Sequence, residues 1–212
     1  VRELRAVPAT AAAFAPFGTL VLPGADGDAF GAADAQLDLT QGCVLCLVRA
    51  CQRQTAEWLR TRHVLCHALR LTRAALFRRF RTPRFYIMRL ASRGLRFSRI
   101  THHARVTQCL AATGSAPWYL VCAPPGAVPP LREDQLVAFA VTPPAALCMR
   151  VGTWHAGPFF GSGDAAADAA DPSAATRDFY NLELADTNVV DHTSFDFAAQ
   201  EQRTTFRILP PS

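Results

Sequence analysis

The stretch Thr101-His102-His103-Ala104-Arg105-Val106-Thr107-Gln108 and, some fifty residues later, Gly152-Thr153-Trp154-His155-Ala156-Gly157-Pro158 hold three of the six histidines in the chain. Imidazole, with an ordinary pKa of about 6.5, can take and give protons near neutral pH, so a pocket that gathers several rings can do general acid–base chemistry. Each block sits where an alternating, strand-like run meets a turn, and two strands of one antiparallel barrel could bring the rings to one pocket. Alternation then separates neighbours. Over 95–103, Phe97, Arg99, Thr101 and His103 share one face, and Arg96, Ser98, Ile100 and His102 the other. His103 is expected to face inward and His155 to meet it. The plainer readings are a strand-end histidine bonded to a loop carbonyl and, for His155, a turn-capping role.

Other side chains could complete such a site. Arg89 shares a strand face with Phe85 and Ile87, and a charge on an otherwise apolar face needs a partner if it is buried. The alternative is a rim arginine in solvent. The chain has no lysine, so Schiff-base chemistry and a lysine base are excluded, and every fixed cation is an arginine able to grip a carboxylate with two parallel bonds. Gln108 offers an amide for a neutral polar group, and Trp154 reads as wall rather than chemistry.

The elements that must position these residues are strands. Alternating runs bounded by turn residues fall at 84–90, 95–103, 107–112, 118–123, 135–141, 146–151, 155–160 and 179–184, the signature of an all-β barrel or double sheet. At 212 residues the chain is long enough for one well-buried domain, and one domain over 1–212 is expected. Segment 161–177, rich in alanine, aspartate, glycine and serine, reads as a surface loop. No long apolar run predicts a membrane span, no signal peptide is visible, and seven cysteines without regular spacing argue against a secreted disulfide framework. A cytoplasmic or organellar protein, not a secreted one, is expected.

The net charge of +5 is unevenly distributed. Residues 43–82 hold nine arginines against the single acid Glu57, a net +8, which leaves about −3 for the rest. This block also carries Cys43, Cys46, Cys51 and Cys66, lacks glycine and proline, and predicts a helix over about 55–80. Its thiols, with His63 and His67, can be read as a zinc site, although the turn residues usual between zinc ligands are missing. A foreign-looking insertion is the preferred reading. Its few aromatics, Trp58, Phe77 and Phe80, weaken a nucleic-acid-binding role, and no nucleic acid or membrane partner is expected.

Phe17-Gly18, Asp38-Leu39, Pro83-Arg84-Phe85-Tyr86-Ile87-Met88-Arg89, the two histidine blocks and Asn188-Val189-Val190-Asp191-His192, in this order, resemble the ureidoglycolate lyase family in its plant and algal form. The resemblance covers nearly all the chain except the basic block. It implies an all-β cupin-type double-stranded barrel, or jelly roll, here with an inserted helical, arginine-rich segment; a homodimer; and cleavage of ureidoglycolate to glyoxylate and urea in allantoin breakdown. In the family the recurrent histidine stands five residues before the glutamine, which is His103 here.

Ureidoglycolate is a hemiaminal. Breaking its C–N bond needs a base for the hydroxyl proton, an acid for the departing nitrogen and a cation for the carboxylate. The expected assignments are His103 and His155 for proton transfer, Arg89 for the carboxylate, and Gln108, Thr107 and Trp154 for binding. Metal-binding cupins carry a glutamate near the place of Gln108, a poor metal ligand. A divalent ion held by His103 and His155 with a third group, such as Glu183 or Asp186, therefore stays open and unassigned. The competing class is a non-catalytic cupin that binds a small carboxylate or serves as a structural subunit.

Overall fold

The computed structural model describes residues 1–26, 28, 29, 31, 34, 82–161, 175–201 and 203–212. Asp38-Leu39, the expected helix at 55–80 and the cysteines and histidines of the basic block lie outside the described residues, as does most of the loop expected at 161–177.

In chain order the strands are β1 (Arg2–Arg5), β2 (Val7–Pro8), β3 (Gly18–Val21), β4 (Pro83–Ala91), β5 (Arg96–Phe97), β6 (Arg99–His102) and β7 (Gln108–Ala112). Then follow β8 (Trp118–Ala123), β9 (Val137–Val141), β10 (Ala146–Met149), β11 (Trp154–Phe159), β12 (Thr176–Leu184), β13 (Thr193–Asp196) and β14 (Phe206–Leu209). They form a five-stranded sheet β3-β10-β7-β12-β4, a six-stranded sheet β13-β6-β11-β8-β9-β2 and a small sheet β1-β14-β5. This is an all-β, cupin-like fold. Among the described residues no helix is long and apolar enough to cross a membrane.

Two apolar layers follow from strand alternation. Leu110, Leu147, Met149 and Phe179 of the five-stranded sheet meet Trp118, Leu120, Phe139 and Val141 of the six-stranded sheet in an inner core. The other face of the six-stranded sheet, with Val121, Ala123, Trp154 and Ala156, packs on Phe97, Phe206 and Ile208 of the small sheet in an outer core. A sheet covered on both faces needs strands apolar throughout, and all six residues of β8 are buried. Phe139 anchors the inner core, with its ring edge-on to Phe14 at 5.2 Å and to Phe17 at 5.4 Å. Phe139→Ala is expected to destabilise the protein by about 3–5 kcal/mol, read as a lower urea midpoint at unchanged slope.

The run expected at 95–103 is broken. At Ser98, whose carbonyl accepts the N–H of Phe197 at 2.7 Å, the chain leaves the small sheet as β5 and enters the six-stranded sheet as β6. The bend resets the alternation, so Phe97 and Ile100 both join the outer core. Phe97 therefore does not share a face with Thr101. Two glycines are required by close approach. A Cβ at Gly18 would lie 2.0 Å from the Cys148 carbonyl on β10. Gly157 has φ +128° where β11 shifts register against β8, and a Cβ there would sit 3.0 Å from the Tyr119 carbonyl.

Candidate active site

On β11, Trp154 and Ala156 belong to the outer core, so His155 between them points to the inner side. Its cross-strand partner on β6 is Thr101, which shares that face. Ile100 lies in the outer core, and His102 follows it there, with its ring 4.2 Å from that of Trp154. His103, one residue beyond β6, returns to the inner side. Its ring centroid is 5.2 Å from His155 and 5.6 Å from His192. The two sequence blocks are tied directly, because Gly152 donates its N–H to the His103 carbonyl at 2.7 Å.

Backbone carbonyls fix both inward rings. His103 donates its Nδ1–H to the Asp191 carbonyl, and His155 its Nδ1–H to Thr153 O at 3.2 Å. In each ring Nε2 is then the nitrogen carrying the lone pair. Asp191 also locks the turn after His103, as its carboxylate accepts the N–H groups of Ala104 and Arg105, both at 2.8 Å. Its block was noted in the sequence, but only the fold reveals that Asp191 orients a histidine. Burial, with the charge of His103 next, lowers the His155 pKa to about 3. Burial also lowers His102, partly offset by Asp191, and His192, where the nearby His103 adds to the effect.

Gln108 faces inward at the start of β7 and is buried. Its Nε2 donates to Glu183 Oε2 at 2.9 Å and Asn181 Oδ1 at 3.3 Å. Glu183, 1 % exposed, also accepts Tyr86 Oη–H at 3.1 Å and Asn188 Nδ2–H at 3.4 Å, and Asn181 donates to Tyr86 Oη at 2.9 Å. The carboxylate can only accept, so it fixes the orientation of the Gln108 amide. Gln108 Oε1 is left buried and without a hydrogen-bond partner among the described residues. Glu183 was considered only as a third metal ligand. Its part in this network depends on β4, β7 and β12 being neighbours, which no local pattern announces.

Three expectations need correction. Arg89 does share a face with Phe85 and Ile87, but that face is the outer one: Phe85 is 67 % exposed, and the inward residues of β4 are Tyr86, Met88 and Leu90. Its guanidinium makes two 2.8 Å bonds to Asp178 and borders a separate depression with Thr113, Ser115 and Arg177. Trp154 is buried in the outer core, where its ring lies against His102 and its indole N–H donates to Ala127 O at 2.9 Å. Thr107 precedes Gln108 and so falls on the other face of the five-stranded sheet, where it hydrogen-bonds Cys148. Among the described residues Cys109, Cys122 and Cys148 form no disulfide.

His103 and His155 alone fall short of the three protein ligands of a catalytic zinc centre. Among the described residues no group of three or more histidine, cysteine, aspartate or glutamate side chains is arranged to hold a metal ion. Glu183 is engaged with Gln108, Tyr86 and Asn188 instead.

The inner side of the fold thus carries a pair of buried imidazoles and a buried, oriented amide. The family model of ureidoglycolate lyase matches residues 1–160, and the chain belongs to that family. No curated protein matches it.

Proposed function

We propose that this protein is a C–N lyase of the amidine-lyase type that cleaves ureidoglycolate to glyoxylate and urea, with His103 and His155 as its proton-handling residues. Membership of the ureidoglycolate lyase family supports a lyase acting on ureidoglycolate in purine catabolism. The observation that carries the residue assignment is the pairing of the two buried imidazoles, each with Nδ1 committed to a backbone carbonyl and Nε2 left as a base.

In this reading His103 Nε2 takes the proton of the hemiaminal hydroxyl. The C–O bond becomes the aldehyde of glyoxylate while the C–N electron pair leaves with the ureido nitrogen, and the proton returns to that nitrogen, which hung from the same carbon. His155, kept neutral by burial, accepts a hydrogen bond from the substrate and adds no positive charge beside the imidazolium that forms on His103. Gln108 Oε1 receives an N–H of the ureido group, a contact that supplies the partner this buried acceptor lacks.

The test is direct. Purified full-length protein is given ureidoglycolate and assayed for glyoxylate, urea and ammonia. Equal release of glyoxylate and urea without ammonia is expected. Ammonia and carbon dioxide in place of urea would make the enzyme a hydrolase, and no turnover would favour a non-catalytic carboxylate binder.

A further inference from the structure

Once Arg89 is placed on the outer face, the substrate carboxylate has no assigned partner. We propose that it is seated by Arg96 and Arg93, at the mouth of the histidine cleft, in a subsite for small 2-oxo and 2-hydroxy carboxylates. This inference rests on the reading of that cleft as the place where ureidoglycolate is cleaved.

The cleft has a volume of about 410 Å³, and its walls include Arg93, Arg96, Arg99, Thr101, His155 and His192. That volume lies in the range of small-molecule sites. Among the described residues no aspartate or glutamate lines it, so three guanidiniums face a space with no built-in counter-charge. Arg99 is partly neutralised, because its Nη2 is 3.2 Å from Asp196 Oδ2. Arg93 lies 5.6 Å from the centre of the Phe159 ring, and neither it nor Arg96 has an ion-pair partner among the described residues.

Arg96 carries a second mark. In the β5–β14 ladder it stands directly opposite Arg207, and both are exposed. Like charges directly opposite on paired strands repel, and a bound anion beside Arg96 relieves that repulsion. The bend at Ser98 is what brings Arg96 to the cleft, since it carries the chain from Arg96 on the small sheet to Thr101 beside His155. A planar guanidinium fork matches a carboxylate with two parallel bonds. A carboxylate held at the rim leaves the hemiaminal carbon of the same small molecule to extend toward His155 and His103.

The experiment titrates the full-length protein with oxalate and with glyoxylate by calorimetry, with phosphate as a comparison anion, and measures ureidoglycolate kinetics in parallel. Arg96→Ala is expected to weaken oxalate binding about tenfold or more and to raise KM for ureidoglycolate similarly, with kcat held within about threefold. Arg96→Lys should recover only part of the affinity, because the charge returns without the fork. Arg93→Ala should act in the same direction, and Arg89→Ala should leave both constants unchanged. Wild-type oxalate affinity in both Arg96→Ala and Arg93→Ala would overturn the proposal, as would loss of binding in Arg89→Ala or phosphate binding as tight as oxalate. Arginine-dependent oxalate binding without turnover would sink the lyase reading and leave the seat standing. Turnover with normal KM in the arginine variants would do the reverse.

Discussion

His103→Asn is expected to lower kcat for ureidoglycolate by about 10²–10⁴-fold while leaving KM within a few-fold. Asparagine keeps an N–H near the place of Nδ1, so the Asp191 carbonyl retains a donor and the turn held by the Asp191 carboxylate should persist. What the substitution removes is Nε2, the nitrogen assigned to the hydroxyl proton. Alanine is the poorer choice, because it strips the partner from a buried carbonyl at a cost of about 1–3 kcal/mol and mixes folding with chemistry. His155→Gln should also lower kcat, and the double variant should lose much less than the product of the two single losses, since both rings serve one proton transfer. A His103→Asn enzyme that retains activity within about threefold, with an unchanged melting temperature, would remove His103 from the mechanism.

The second large effect is on acid stability. His155 titrates at about 3 in the folded protein, chiefly because burial penalises its cation, against an ordinary value of about 6.5 in the unfolded chain. Between these two values the unfolded state binds more protons than the folded one, so lowering the pH pulls the equilibrium toward unfolding. The stability from keeping this ring neutral is fully present above about pH 6.5 and is lost progressively toward pH 3. Its full size is of the order of 5 kcal/mol, a large share of the stability of a typical domain. His102 and His192 are shifted in the same direction by burial and add to the slope. Urea midpoints measured from pH 7 down to pH 4 should therefore fall steeply, and His155→Gln should flatten the profile. A profile that is flat from pH 7 to pH 4.5, or one unchanged by His155→Gln, would show that the ring is not held neutral by the fold.

The sequence by itself determined those features that depend on a local period. Strand alternation is a property of neighbouring residues, so the separation of His103 from His102 could be read before any packing was known, while the inward direction of His103 was an expectation that alternation alone does not supply. The strands expected at 84–90, 107–112, 118–123 and 146–151 were legible for the same reason, as each is a short alternating or apolar run closed by turn residues, although the last ends at Met149. Gln108 was legible as an amide suited to a neutral polar group, but its inward direction came only from the fold. The short strands β1, β13 and β14 were not, because each is only four residues long and finds its partners far away along the chain.

Only tertiary structure decided which side of a strand is the inside. Phe85, Ile87 and Arg89 were correctly grouped on one face, but the apolar character of that face does not say that anything covers it, and in the described structure it looks outward. Trp154 failed for the opposite reason. The six-stranded sheet is buried on both faces, so an apolar residue on β11 is buried whichever way it points, and hydrophobicity alone cannot distinguish the cleft from the outer core. The bend at Ser98 reset an alternation that the sequence presents as unbroken, and so carried Arg96 to the cleft. Glu183 and Asp191 act through partners 75 and 88 residues away. Contacts of that range are chosen by which strands become neighbours, a decision made by the whole hydrophobic core and not by any stretch of the chain read alone.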